Sequence, residues 1–144
     1  MRRIQAGLAA SLYDRCTERD LMIGVETAVF AADDDYRVPD LVVYAPESAS
    51  DRGVEGAPVL VVEVRSPSDE SLAKVPWYLG RGAGSVVVVD PVTFSVEVFS
   101  DEGKAEADAD GLTQVAVLAV RLGPASDGEG LVVETEKATH RIRG

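Results

Sequence analysis

Pro58-Val59-Leu60-Val61-Val62-Glu63-Val64-Arg65-Ser66-Pro67-Ser68 is the stretch on which the fold turns. Its apolar run shows no alternation with polar residues, so the strand it forms is covered on both faces, as in the middle of a layered sheet. Glu63 breaks the run. A carboxylate in such surroundings is costly unless it is paired, hydrogen-bonded or bound to a cation. The next segment has the marks of a helix start: Ser66 as cap, Pro67 at the first helical position, and Asp69 and Glu70 where the helix dipole favours acids.

Working outward, residues 41–44 after Pro39-Asp40 form a second strand that is apolar on both faces. Downstream the helix is expected to run to about Leu79, kinked or restarted at Pro76, and to end at Gly80, Gly82 and Gly84. Residues 85–89 read as a buried strand joined to a strand over 94–99 through the turn Asp90-Pro91-Val92-Thr93. At the N-terminus Ile4, Leu8, Ala9, Leu12 and Cys16 recur at helical spacing, which predicts an amphipathic helix over 3–17. Residues 21–31 read as one strand leading into a hairpin at Asp33-Asp34-Asp35, and 46–58 as a flexible connection. Residues 101–111 form a charged, solvated excursion before late strands at 115–122 and 131–135. This order describes one α/β layered domain spanning residues 1–144.

The net charge of -11 excludes the uniformly basic surface of sequence-independent nucleic-acid binders. A polyanionic substrate must therefore be met locally, within the ~8–10 Å over which charge acts at physiological salt. The single Cys16 forms no internal disulfide, reads as core, and fits a cytoplasmic location. Met1-Arg2-Arg3 is basic like the start of a signal peptide, but Gln5, Asp14 and Arg15 interrupt the apolar stretch behind it. The apolar runs 86–89 and 115–120 fall far short of the ~20 residues of a membrane helix. A two-fold homodimer is the base-rate expectation.

Asp40 opens one central strand and Glu63 stands near the end of another, and together with the Val64 backbone carbonyl they make a hard oxygen set suited to Mg²⁺ or Mn²⁺. Strand alternation puts Arg65 on the face of Glu63, and a cation from Arg65 or Lys74 would stabilise charge developing on a phosphate. The plainer alternative makes Asp40 a turn cap after Pro39 and Glu63–Arg65 an ordinary ion pair. Two crowded carboxylates repel when no cation is present, so alanine at either position is expected to leave metal-free folding intact. Glu26 is a further acid, Tyr78 shares a helix face with Lys74, and Trp77 is an aromatic without a basic neighbourhood. His140 has no nucleophile partner at recognisable spacing, and the glycines of 80–84 end a helix rather than opening one, the wrong polarity for a phosphate loop.

The stretches 38–43 and 58–68, then Lys74, Trp77-Tyr78, Gly84 and Val88-Val89-Asp90-Pro91, resemble the Uma-two family, described as putative restriction endonucleases, within the PD-(D/E)XK nuclease superfamily. The resemblance covers about residues 4–100. It implies a restriction-endonuclease-like fold with a central mixed β-sheet flanked by helices, DNA as substrate, and a divalent-metal site built from Asp40 and Glu63, with Lys74 supplying the cation. Family members usually carry a further N-terminal segment that this sequence does not contain, and the interval before Lys74 is short. Arg65 occupies the place of the superfamily lysine, but an arginine stays protonated and cannot act as a base. The expectation is a DNA endonuclease; the alternative is a non-catalytic interaction or regulatory module of the same fold.

Overall fold

The computed structural model describes residues 2–66 and 70–144. Helix α1 (Arg2–Glu18) buries Ile4, Leu8, Leu12 and Cys16 along one stripe, the spacing of four that its sequence shows. The expected strand over 21–31 is two strands: β1 (Met22–Val25) and β2 (Val29–Ala32). The chain breaks at Glu26, whose φ of 50° is left-handed and incompatible with a continuing strand. Strand β2 leaves the main sheet and forms a hairpin with β3 (Asp35–Arg37). After β4 (Leu41–Tyr44), the connection read as flexible contains β5 (Ala49–Ser50) and β6 (Gly53–Val54), which join β2 and β3 in a small sheet of order β3-β2-β6-β5.

Strand β7 (Leu60–Val64) and helix α2 (Ser71–Gly80) are followed by β8 (Ser85–Val89), β9 (Val96–Ser100) and β10 (Gly103–Lys104). The main sheet runs β1-β4-β7-β8-β9-β10, with β7 and β8 parallel and every other neighbouring pair antiparallel. It is the central mixed sheet of an α/β structure, and all residues of its middle strands β7 and β8 are buried. Leu41, Val43, Leu60, Val62, Val87 and Val89 pack against α1 and a second sheet made of β11 (Thr113–Val115), β12 (Val120–Pro124), β13 (Leu131–Glu134) and β14 (Thr139–Ile142). Val42, Val61, Val86 and Val88 pack on the other side against Val75 and Tyr78 of α2 and against Val29 and Val54. Alternation puts Glu63 with Val61, on the α2 face.

Several expectations change. The helix start expected at Ser66-Pro67-Ser68 falls partly outside the described residues, and α2 begins at Ser71. Pro76 neither ends nor restarts the helix. It is exposed, and its missing donor would have met the carbonyl of Leu72, also on the solvent side, where water can take over. The run 115–122 is divided at Ala119, whose φ of 52° ends a short 3-10 turn between β11 and β12. Phe94 has a φ of 62° and belongs to the turn, so β9 starts two residues later. The basic C-terminal segment is the strand β14.

Helix α1 is tied to the second sheet by Arg15, almost wholly buried, which donates to the Glu136 carboxylate, and by an ion pair of Lys137 with Glu18. The hydrogen bond from Arg15 holds the Glu136 carboxyl down to about 2. A depressed folded-state value means that this acid stabilises the fold above the ordinary glutamate range and ceases to do so as pH falls towards about 2. The carboxylate is solvent-exposed, so the effect is screened and modest. Glu136→Gln should make the urea midpoint fall less steeply than that of the wild type as pH is lowered from about 4.5 to about 2. Parallel slopes would show that the pair contributes nothing to folding.

Candidate active site

Asp40 lies immediately before β4 and Glu63 is the penultimate residue of β7. The antiparallel register sets Leu41 opposite Val62, which brings these two acids together at the end of the sheet. Each side chain is hydrogen-bonded to backbone beside the other. The Asp40 N–H donates to Glu63 Oε1 at 3.0 Å, and the Val64 N–H donates to Asp40 Oδ2 at 2.7 Å. The Asp40 carbonyl in turn accepts from Gln5 Nε2 at 3.0 Å and from the Glu26 N–H at 3.1 Å. Gln5 thus supports the site, although in the sequence it stands out only as an interruption of an apolar stretch. Its signal was a polar side chain next to Ile4 on the helix's apolar stripe, where it is 8% exposed.

Glu63 is 3% exposed, and burial is the main cause that raises its carboxyl above the ordinary range. The Asp40 N–H and the Lys74 ammonium oppose that rise, while the Asp40 charge adds to it. Lys74 Nζ stands 3.5 Å from Glu63 Oε2, longer than a close charge-assisted hydrogen bond, and its side chain is 40% exposed. One helical turn on, Tyr78 is fully buried in the same face of α2. Burial pushes its phenol far above the ordinary range, with Glu63 and Asp40 adding to the effect and Arg37 opposing it. The Arg37 guanidinium lies 4.9 Å over the Trp77 ring, so Trp77 has the cationic neighbour that the sequence did not reveal. Arg37 comes from β3, and nothing local in the chain pairs it with α2.

Other candidates are placed elsewhere. Arg65, whose N–H still donates to the Val89 carbonyl just beyond β7, lines a depression with Ser66, Asp90, Pro91, Val92 and Thr93. Its charge helps to hold Asp90 low, after the hydrogen bonds from the Val92 and Thr93 N–H groups. The charge set against Glu63 is that of Lys74. Glu26 reaches the site through its backbone, and the residue is exposed. His140 is exposed on β14, beside Asp14 and Lys137. Among the described residues, no cluster of three His, Cys, Asp or Glu side chains has metal-holding geometry.

The two hydrogen bonds also change the expected effect of removing an acid. Alanine at position 40 relieves carboxylate repulsion but leaves the Val64 N–H, in a residue 2% exposed, without its acceptor. Asp40→Ala should therefore cost about 1–3 kcal/mol in metal-free urea denaturation, the penalty for an unsatisfied buried donor. Asp40→Asn, which keeps an acceptor oxygen, should lose distinctly less. Equal stability of the alanine variant and the wild type would mean that the bond contributes nothing.

With this geometry in view, comparison with known proteins gives a consistent answer. A solved structure described as a putative nuclease belonging to DUF820, from Anabaena variabilis ATCC 29413, superposes with a TM-score of 0.68 over 82% of this chain and 73% of that one, at 19% identity. The likeness shows a shared fold, the restriction-endonuclease-like arrangement of a central mixed sheet flanked by helices. No curated protein matches the sequence. The family model of Uma2, described as "Putative restriction endonuclease", matches residues 2–123, and the chain belongs to that family.

Proposed function

We propose that the chain is a divalent-metal-dependent endonuclease that hydrolyses DNA phosphodiester bonds, with its site at Asp40, Glu63 and Lys74. One observation carries this reading: two carboxylates locked side by side at the ends of β4 and β7, with an ammonium 3.5 Å from one of them, in a member of the Uma2 family. The donor set fits Mg²⁺ or Mn²⁺, which take hard oxygens from one or two carboxylates and keep several waters. Asp40 and Glu63 would hold the ion. The Val64 N–H points at Asp40, and a strand residue directs its N–H and C=O to the same side, so the Val64 carbonyl would be the third protein oxygen. Glu63 gains most, since a cation offsets the burial that disfavours its charge. When bound, such an ion supplies Lewis acidity towards a phosphoryl oxygen and makes water a better nucleophile at neutral pH.

The protein's own groups do the rest. The half-exposed Lys74 ammonium stabilises charge developing on the phosphate, and Arg37 over Trp77 adds a second cation on the α2 side. These local charges matter because the chain as a whole carries -11. That same acidity favours the second reading, a non-catalytic module of the fold.

The test is cleavage of plasmid and of linear double- and single-stranded DNA in Mg²⁺ or Mn²⁺, with a chelator control. Asp40→Asn and Glu63→Gln should abolish cleavage. Lys74→Ala should lower kcat by about 100-fold, the scale for removing one group that stabilises transition-state charge, with a smaller change in KM. Arg65→Ala, whose charge is set against Asp90, should have much less effect. Absence of metal-dependent cleavage in the wild type, or cleavage that survives Glu63→Gln, would favour the non-catalytic reading.

A further inference from the structure

The Tyr78 hydroxyl is a buried polar group that the described interactions leave unexplained. It is buried and has no hydrogen-bond partner among the described residues, although a buried phenol usually finds one. Its position is tightly defined. Tyr78 comes four residues after Lys74 on α2, so the two side chains share a helix face, and Lys74 is the residue whose ammonium meets Glu63. Long side chains on a helix lean towards its N-terminus, which aims the Tyr78 ring back over the turn that carries Lys74. The ring packs among Val42, Val61, Val86 and Val88, the sheet face to which Glu63 also belongs. The hydroxyl therefore lies on the sheet face that carries Glu63, where the Glu63 and Asp40 charges act on it.

We infer that Tyr78 is a positioning residue of the cation site, whose hydroxyl donates a hydrogen bond to an oxygen of that site when it is filled. The inference rests on the metal-binding reading above and adds to it a donor outside the ligand set. No group among the described residues replaces the hydration that the buried hydroxyl gives up. Filling the site brings further charge and oxygen atoms to the face at which it is aimed. Such a donor orients the groups that hold the metal without touching it, and losing a partner of this kind typically weakens metal affinity by about 10- to 100-fold. Tyr78 need not ionise in this role.

Tyr78→Phe tests the inference, because it removes one oxygen and keeps the ring that fills the core. Two quantities are read: the thermal midpoint in chelator-treated buffer, and the Kd for Mn²⁺ by calorimetric titration of the metal alone. The expected result is an unchanged or higher midpoint together with a Kd for Mn²⁺ weakened by about 10-fold or more. A midpoint lowered by several degrees without metal would show that the hydroxyl already has a partner in the empty protein, and would overturn the inference. So would equal Kd values for Tyr78→Phe and wild type, which would leave the metal reading standing. Wild-type protein that binds no Mn²⁺ would overturn both.

Discussion

The structure depends on how Glu63 is accommodated in a strand that is otherwise Leu and Val. A carboxylate there forfeits its hydration, and only hydrogen bonds and opposite charge make that tolerable. The Asp40 N–H and Lys74 provide them, while Asp40's own carboxylate is held by the Val64 N–H. The result is a reciprocal clasp: each acid satisfies a backbone donor of the strand that carries the other, or of the residue that leads into it. The clasp holds the adjacent ends of β4 and β7 in register and places two carboxylates side by side.

The layers around the sheet make that arrangement rigid. Helix α1 holds the Asp40 carbonyl through Gln5, and the break at Glu26 contributes a second donor to the same carbonyl. On the opposite face α2 delivers Lys74 and Tyr78 on one stripe, with Val75 and Tyr78 fixing the helix against the sheet. Four elements thus converge on two acids, and none of them is a long mobile loop. Sites built on strands and helices are held more precisely than those built on loops, which suits a reaction that demands exact placement of charge.

Much of this was legible in the sequence because its signals are local and strong. The unbroken apolar runs named the central strands, the four-residue spacing named α1, and the two acids stood out against Val and Leu. The resemblance of the stretches around Asp40 and Glu63 to a nuclease family agrees with the family match and with the fold. What was not legible depends on tertiary context. Periodicity cannot foresee left-handed residues such as Glu26 and Ala119, which split apparent strands in two. Strand alternation put Arg65 on the face of Glu63, but it could not reveal that the turn after β8 sets Asp90 against the Arg65 charge. Pro76 argued for a kink or a restart, and α2 runs on through it with the missing hydrogen bond on the solvent side. Arg37 was invisible as a neighbour of Trp77 because the pairing crosses from β3 to α2.

The central claim is that the acid clasp is a cation site as well as a structural tie. Anomalous diffraction from crystals grown with millimolar Mn²⁺ tests it most directly. A manganese peak is expected between the Asp40 and Glu63 carboxylates, in reach of the Val64 carbonyl and absent from Asp40→Asn crystals. A manganese peak only elsewhere on this acidic surface, with both hydrogen bonds of the clasp intact and no metal between the carboxylates, would contradict it.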